Sequence, residues 1–298
     1  MRRVRILLST YNGEKYLREQ IASLKAQEGV ETEIFVRDDG SADSTLDILR
    51  EMSSKGVLDF YTGENMGPAR SFMDLLSKTS EADYYAFSDQ DDVWMPDKLS
   101  TAISALERQG YSPGLYLGQT QPTDDTLQKL PYRRVEPIGT FGESLVYEFA
   151  AGCTMVLNKP LRNILTTYKP DYLSMHDVWI YSVALALGAN VYYDHTAHIL
   201  YRQHGQNAIG QDNSLITSWK RRLHRLAKSE QSRYKRAVEI KKGFYHRMAP
   251  HERDTLDLFI EGKSSFSKRL RLLCDQRYSC GNPSTAKLFA ISLLLNQY

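Results

Sequence analysis

The chain has 298 residues, of which 42% are hydrophobic and 25% are charged, which is typical of one large globular domain with an appendage. No segment approaches the run of about 18 apolar residues that spans a bilayer, and the basic start lacks the apolar core and cleavage site of a signal peptide. These features argue against a membrane-spanning or exported protein and predict a cytoplasmic one.

The net charge of +2 hides an asymmetry between the two ends of the chain. Residues 1–214 carry 20 Lys and Arg against 29 Asp and Glu, whereas residues 215–298 carry 18 against 7. The resulting charges are −9 and +11, and such an imbalance is typical of a segment that meets an anionic partner. We therefore predict two parts, an α/β domain over residues 1–214 and a basic helical extension over residues 215–298.

The first hundred residues alternate between strand and helix patterns. Short apolar runs that end in polar loops are separated by segments whose apolar residues recur at helical spacing. Strands that alternate with helices favour a mostly parallel sheet covered on both faces, hence an α/β fold. The predicted strands are residues 4–9, 33–41, 58–63 and 84–89, and the predicted helices are residues 14–27, 45–52 and 69–77.

The middle of the chain is less regular. Residues 122–137 are polar and marked by proline, which predicts a loop, and residues 149–158 predict a strand preceded by small side chains. Residues 176–188 predict a helix with an acidic first turn. Two short strands are predicted at residues 190–195 and 197–204.

Carboxylates cluster at two predicted strand ends. Asp89, Asp91 and Asp92 lie within four positions, and Asp38 and Asp39 end an earlier strand. Closely packed carboxylates repel one another unless a cation lies among them, so the first cluster predicts a Mg²⁺ or Mn²⁺ site, with a solvated turn as the alternative. The second pair alone is more typical of a turn before a helix. Because ligands bind beyond the carboxyl ends of such strands, we expect both loops to meet in one cleft.

Four blocks with these residues stand in fixed order in the first hundred positions: TYNGEKYLREQIASLKAQ, FVRDDGSADST, GENMGPARSF and FSDQDDVWMPDKL. In order and spacing they resemble the family 2 glycosyltransferases of the GT-A fold. The resemblance implies a GT-A (nucleotide-diphospho-sugar transferase) fold with a mostly parallel central sheet, and an inverting, metal-dependent transfer from a nucleoside diphosphate sugar.

Later blocks narrow the resemblance to a bacterial group that includes rhamnosyltransferases of wall and capsule polysaccharides. The resemblance implies dTDP-rhamnose as the favoured donor, with UDP-glucose or UDP-galactose as alternatives, and a lipid-linked or polymeric saccharide as acceptor. These blocks are GCTMVLN, MHDVWIYSVALALG and YRQHGQNAIG.

Carried over position by position, the resemblance assigns donor-binding residues in three of the early loops. It places Thr10, Tyr11, Asp38, Asp39 and Arg70 around the pyrimidine base and the ribose. Among these residues, Asp39 is the one we expect to contact the pyrimidine base.

The resemblance also assigns roles within the acidic cluster. Asp91 is the expected direct metal ligand, and Asp89 lies nearer the ribose or a metal-bound water, with Gln90 between them on the donor side. Asp92 and Trp94 are expected to shape the sugar pocket, while a helix cap and a buried aromatic side chain remain the alternatives.

A loop after the last predicted strand is expected to fold over the diphosphate. Arg202 and His204 match family residues there, with His204 either a third metal ligand or a hydrogen-bond donor. Gly205 and Gly210 would let this loop open and close.

An inverting transfer needs a base opposite the leaving diphosphate, and the resemblance assigns this role to Asp177. At the start of a helix, exposed amide groups favour its charged form. His176 is expected to orient the acceptor or Asp177, or simply to pack in the interior. Gly152 and Cys153 are expected on the acceptor side, where many relatives have two glycines before the threonine.

The basic extension has several candidate partners. Residues 219–247 carry 11 Lys and Arg against two Glu. A peripheral contact with the anionic inner face of the plasma membrane is favoured over nucleic acid. A helical hairpin packed on the catalytic domain and a homodimer contact remain open.

Two rival functions were weighed. A sugar nucleotidyltransferase should carry a Gly-rich basic loop after the first strand, which TYNGEKYL matches poorly. A catalytically silent sugar-nucleotide or glycan-binding protein is disfavoured by the intact acidic residues. Three cysteines form no disulfide framework or CxxC pair and are expected to be buried. They are Cys153, Cys274 and Cys280.

Overall fold

A computed structural model describes residues 1–132, 134–204 and 231–298. Its sheet begins with four parallel strands, β1 (Arg2–Thr10), β2 (Val30–Asp38), β3 (Asp59–Thr62) and β4 (Tyr84–Ser88). β1 pairs with β2 on one side and with β4 on the other, and β3 pairs with β2. The carboxyl ends of β1, β2 and β4 therefore lie side by side at one edge, as predicted.

The remaining strands extend the sheet beyond β4. They are β5 (Val93–Trp94), β6 (Gly114–Thr123), β7 (Val156–Asn158) and β8 (Asn190–Arg202). β7 runs antiparallel to β4 and β6, whereas β6 and β8 are parallel. The strand order is β3-β2-β1-β4-β7-β6-β8-β5, so the sheet is mostly but not entirely parallel.

Helices cover both faces of this sheet. Side chains alternate along a strand, and on β1 Leu7 belongs to one core cluster while Ile6 and Leu8 belong to the other. The arrangement is three-layered and agrees with the predicted α/β class. The helices of the described residues are α1 (Leu17–Lys25), α2 (Thr45–Ser54), α3 (Pro68–Lys78), α4 (Lys98–Arg108), α5 (Phe141–Val146), α6 (Lys159–Leu165), α7 (His176–Ala186), α8 (Ser232–Phe244), α9 (Pro250–Glu261), α10 (Phe266–Cys274) and α11 (Pro283–Leu294).

The C-terminal helices share a core with the α/β layers. Ile240 and Phe244 of α8 and Phe259 of α9 belong to the same buried cluster as Trp179 of α7. Buried Arg236 of α8 also donates to the carbonyl of Ser144 on α5 at 2.9 Å. The described part of the predicted extension is therefore helical and packs on the front domain through the side of the sheet that carries α7.

Three predictions made from the sequence pattern need correction. Residues 190–204 do not form two short strands, because β8 is one strand whose pairing with β6 shifts register between Gly118 and Gln121. The predicted loop at 122–137 starts two residues too early, since β6 extends to Thr123. Cys274 is exposed, whereas Cys153 and Cys280 are buried as expected.

No helix among the described residues is long and apolar enough to cross a membrane.

Candidate active site

The loops after β1 and β4 are joined by the side chain of Gln90. Its Oε1 accepts from the backbone N–H of Tyr11 at 2.8 Å, and its Nε2 donates to the carbonyl of Tyr11 at 3.0 Å. A Cβ on Gly13 would lie 2.2 Å from Gln90 Oε1, so glycine is needed for this close approach. Gln90, predicted to contact the donor, thus ties two loops of the cleft together, while the Tyr11 ring remains half exposed.

Asp38 holds the loop after β2 in shape. Its carboxylate accepts from the Thr10 hydroxyl at 3.0 Å, from the Ser41 hydroxyl at 2.5 Å, and from the N–H groups of Gly40 and Ser41. Gly40 has a φ of +85°, which favours glycine. Thr10 and Asp38 are fully buried, so the structure places both behind the cleft surface, where they fix the loop.

Asp39 connects this loop to the start of α3. Its carboxylate forms an ion pair with buried Arg37 and accepts from the N–H groups of Met66 and Gly67. The Met66 N–H reaches both carboxylate oxygens, at 3.0 and 3.2 Å, so three donors make four contacts with a group that has about four acceptor positions. Binding of the pyrimidine base by Asp39 would require it to exchange one of these partners, and it stays a prediction. Arg70, one helical turn further on, is exposed and donates to the carbonyl of Asp171 at 2.9 Å.

The acidic cluster after β4 lies next to His204. His204 Nε2 lies 2.8 Å from Asp91 Oδ2. Asp92 is buried; its Oδ1 accepts from the N–H of Arg202 at 3.2 Å, and its Oδ2 has no hydrogen-bond partner within the described chain. Burial and the charges of Asp91 and Asp177 raise the pKa of Asp89. Burial and mutual repulsion therefore disfavour the charged forms of Asp89 and Asp92 in the absence of a cation.

These residues fit a hard divalent cation. Carboxylate oxygens of Asp89 and Asp92 and the sulfur of Cys153 lie within 4.8 Å of one another. Burial and the two carboxylates raise the pKa of the Cys153 thiol, so it remains protonated and is a poor ligand at neutral pH. Mg²⁺ and Mn²⁺ prefer oxygen ligands, which leaves the carboxylates as the natural donors, with the paired Asp91 and His204 beside them.

Arg202 holds the acidic loop from behind. Its Nε donates to the carbonyl of Asp91 at 2.9 Å, its other nitrogens reach the Asp125 carbonyl and the Glu19 carboxylate, and its guanidinium lies 4.5 Å from the Tyr16 ring centre. Arg202 is 3% exposed. These contacts position Asp91, and the predicted contact of Arg202 with the diphosphate stays a prediction.

Asp177 lies in the first turn of α7, where the resemblance placed the base. One carboxylate oxygen accepts from the N–H of Gly152 at 3.2 Å and the other from the N–H of Val178 at 2.7 Å. Asp177 is 6% exposed, and burial raises its pKa to about 6. Because its charge also raises the pKa of Asp89, the two carboxyl groups are within electrostatic range of each other.

His176 lies beneath this carboxylate, in the interior. Its ring centre is 4.2 Å from that of Phe72 and 5.2 Å from that of Phe87. Neither ring nitrogen has a hydrogen-bond partner among the described residues, and burial lowers its pKa to about 3. His176 is therefore neutral, and the geometry favours the packing role over the predicted contact with the acceptor.

Sequence reasoning missed Lys98, which stands behind the acidic loop. Lys98 is 2% exposed, and its Nζ lies 3.4 Å from the ring centre of buried Trp94. Burial lowers its pKa to about 7, against the opposing influence of Cys153 and Asp92. Trp94 packs in the core, so the buried-aromatic alternative describes it better than a pocket wall. Lys98 is part of the sequence DDVWMPDKL. In the sequence alone, however, a lysine at the start of a helix resembles an ordinary surface residue.

Two predicted assignments remain, the acceptor-side cysteine and the hinge glycines. Cys153, predicted on the acceptor side, is 3% exposed in a short helical turn beside Gly152. The glycines proposed as hinges, Gly205 and Gly210, lie outside the described residues.

A mostly parallel sheet flanked by helices, with polar loops at the carboxyl ends of β1, β2 and β4, has the architecture of the GT-A fold, in which ligands bind at that edge of the sheet. The comparison with known families agrees. The family model "Glycosyl transferase family 2" matches residues 5–164, which is more than half of the chain. The chain therefore belongs to glycosyltransferase family 2.

Individual relatives are consistent with this membership. The chain is 28% identical to the dTDP-rhamnosyl transferase RfbG of Shigella flexneri over 231 residues, which cover 72% of this chain and 77% of the relative. It is 26% identical to the uncharacterized glycosyltransferase RT0329 of Rickettsia typhi over 239 residues, or 76% and 73% of the two chains.

Solved structures show the same fold. S. aureus TarS 1-349 in complex with UDP superposes with a TM-score of 0.58 at 20% identity, covering 92% of this chain and 75% of that one. The mannosyltransferase PcManGT from Pyrobaculum calidifontis, in complex with GDP-Man and Mn²⁺, gives 0.55 at 16% identity, covering 100% and 81%. At these identities the similarity concerns the fold alone.

Proposed function

We propose that this glycosyltransferase is inverting and metal-dependent, and that Asp177 is its base. The observation that carries the proposal is the position of Asp177, a nearly buried carboxylate in the first turn of a helix. It accepts from the N–H of Gly152, and the next residue, Cys153, has its sulfur within 4.8 Å of carboxylate oxygens of Asp89 and Asp92 in the acidic strand-end loop. A pKa of about 6 suits a base that must be deprotonated at neutral pH and still accept a proton.

The transfer is a single displacement at the anomeric carbon. As the acceptor hydroxyl oxygen bonds to that carbon, its proton passes to Asp177. The bond from the anomeric carbon to the diphosphate oxygen breaks on the opposite side, and the nucleoside diphosphate leaves with the electron pair. Attack from the side opposite the leaving group inverts the configuration. The N–H of Gly152 holds the Asp177 carboxylate during this step.

A divalent cation would be held by Asp91 and Asp89, with His204 as a third ligand or a hydrogen-bond donor. When bound, it supplies positive charge to the oxygens of the diphosphate. The chain's own part is to hold the acidic loop in place: the Arg202 side chain donates to the carbonyl of Asp91, and the Arg202 backbone N–H donates to the neighbouring Asp92 carboxylate.

The favoured donor is dTDP-rhamnose, with UDP-glucose and UDP-galactose as alternatives. The relative from Shigella flexneri, whose name specifies a dTDP-rhamnosyl transferase, supports this preference, as do the sequence blocks beyond residue 150. Asp39 would contact the pyrimidine base, with Tyr11 and Arg70 beside it on the exposed side of the loops.

The proposed acceptor is a lipid-linked or polymeric saccharide in the synthesis of a bacterial surface polysaccharide of the capsule or cell wall. In this view residues 1–214 perform the transfer and residues 215–298 help to locate the acceptor. The enzyme would act on the cytoplasmic side, consistent with three free cysteines.

The test is donor binding by calorimetry together with transfer assays. We would titrate dTDP-rhamnose, UDP-glucose and UDP-galactose with and without Mn²⁺, using the wild type, Asp91→Ala and Asp177→Asn. We expect metal-dependent binding of one donor, its loss in Asp91→Ala, and normal donor binding with transfer lowered at least about a hundredfold in Asp177→Asn.

Asp59→Asn, which changes an exposed carboxylate on β3, is the matched control and should behave as the wild type. Normal transfer by Asp177→Asn would disprove the base assignment. Donor binding without turnover toward any acceptor would instead support a catalytically silent binding protein.

A further inference from the structure

The outer face of the last two helices is unusually apolar. Eleven large hydrophobic side chains are exposed in the described chain, and six of them lie within residues 266–295. Large exposed apolar patches on soluble proteins mark interaction sites. The six are Phe266, Leu270, Leu273, Ile291, Leu294 and Leu295.

On each helix these side chains fall on one face. Phe266, Leu270 and Leu273 recur at helical spacing on α10, as do Ile291 and Leu294 on α11, with Leu295 just after it. α10 and α11 contact each other, and their inward side chains join the same core cluster. Because both helices bury one face in that cluster, their opposite faces point outward together.

Cations surround this apolar surface. Residues 262–298 carry six Lys and Arg and a single Asp. Arg269, Arg271 and Lys287 have no carboxylate within ion-pair distance in the described chain, whereas Lys268 and Arg277 pair with Glu261 and Asp275. The Arg269 guanidinium lies 5.6 Å from the ring centre of Phe266. The surface therefore combines exposed leucines with unneutralised positive charge.

We propose that the outer face of α10 and α11 docks on the anionic surface of a lipid bilayer. Apolar side chains enter the boundary between headgroups and acyl chains, and nearby cations contact acidic headgroups. Neither helix has the length and apolar character needed to span the membrane, so the contact is peripheral. The inference rests on the proposed function only in supposing a lipid-linked acceptor, which docking would bring within reach.

The experiment is co-sedimentation of the full chain with vesicles of phosphatidylcholine alone, or of phosphatidylcholine mixed with phosphatidylglycerol. We expect binding to the anionic vesicles only. Leu270→Glu combined with Leu294→Glu should lower the binding constant at least about tenfold, because each leucine loses its burial in the bilayer. Arg271→Gln and Lys287→Gln should each lower it about fivefold. Tyr111→Glu changes an exposed side chain next to α4 and should have no effect.

Three results would overturn the proposal. The first is absence of binding to anionic vesicles. The second is binding that falls in the charge variants but not in the leucine variant, which would assign it to the basic sequence alone. The third is a dimer, seen by sedimentation equilibrium without lipid, that Leu270→Glu with Leu294→Glu abolishes; this face would then belong to a second copy of the chain.

Donor binding separates this proposal from the proposed function. The leucine double variant and the two charge variants change only exposed positions. Calorimetry should therefore give each of them the donor affinity of the wild type. Vesicle binding without donor binding would leave the docking surface standing while the transferase site failed. Donor binding and transfer without vesicle binding would support the transferase site and disprove the docking surface.

Discussion

Replacing Gly152 with alanine should disable transfer although no catalytic side chain is changed. A Cβ at this position would lie 2.5 Å from Nε2 of His176, about 1 Å closer than ordinary contact. The His176 ring is packed against Phe72 and Phe87, so it cannot swing into solvent. Either the ring or the turn that carries Gly152 must move by about that distance.

The consequence reaches Asp177 because the N–H of Gly152 is one of its hydrogen-bond donors. A shift of about 1 Å in a catalytic constellation costs about a hundredfold in rate, equivalent to about 2.7 kcal/mol. We therefore expect kcat to fall about a hundredfold in Gly152→Ala. Overpacking should also lower the free energy of unfolding by about 1–3 kcal/mol. Donor binding should be nearly unchanged.

A double-mutant cycle tests whether the new Cβ acts through its contact with the His176 ring. His176→Ala removes the ring atoms that the new Cβ would meet, so adding Gly152→Ala to His176→Ala should cost much less than adding it to the wild type. The assay is single-turnover transfer at saturating donor and metal, with urea denaturation in parallel. If Gly152→Ala transfers at the normal rate, or costs the same in both backgrounds, the contact between Gly152 and His176 does not position the base.

Two other predictions concern the same carboxylate and ring. Burial raises the pKa of Asp177 to about 6, and only the deprotonated carboxylate accepts a proton. We therefore expect kcat/KM at saturating metal to rise about tenfold per pH unit below pH 6 and to level off above it. A profile that is flat from pH 5 to about 8 would contradict this assignment. His176→Leu should raise the free energy of unfolding by about 1 kcal/mol in urea denaturation, since a buried ring without hydrogen-bond partners is replaced by an apolar side chain. It should retain at least about a third of the transfer rate, and a loss of a hundredfold would indicate that His176 serves the acceptor after all.

Much of the fold could be predicted because the early strands and helices have clear local patterns. β1, β2 and β4 are apolar runs that end in acidic or polar loops, and α1 and α3 lie between them with apolar residues at helical spacing. β6 was missed because its sequence, GLYLGQTQPT, combines Gly, Gln and Pro with few apolar residues. Its strand form depends on pairing with β7 and β8, which no local pattern shows.

The candidate site shows the same limit at the level of side chains. The acidic residues, Asp91 among them, could be singled out from the end of an apolar strand, whereas His204 and Asp177 were assigned from the family resemblance. The direction in which Arg202 points could not be predicted, because it depends on Glu19 and other partners brought in from distant segments by the fold. A motif specifies which residue stands at a position, whereas burial and partners decide whether it faces the ligand or supports the residue that does.

The charge balance of the site bears on how the donor binds. Asp89 and Asp91 belong to the acidic loop together with buried Asp92, while Arg202 donates to the carbonyl of Asp91 and Lys98 lies buried behind the loop with a lowered pKa. A nucleoside diphosphate is itself anionic, so without an added cation it would meet like charge in a partly desolvated cleft, where repulsion is poorly screened. Under the proposed metal dependence, a divalent cation held by the carboxylates would supply the positive charge that offsets both repulsions. The affinity for donor and the affinity for metal should therefore increase each other by the same factor, and the acidic loop is then better understood as half of a donor site that the metal and the diphosphate complete together.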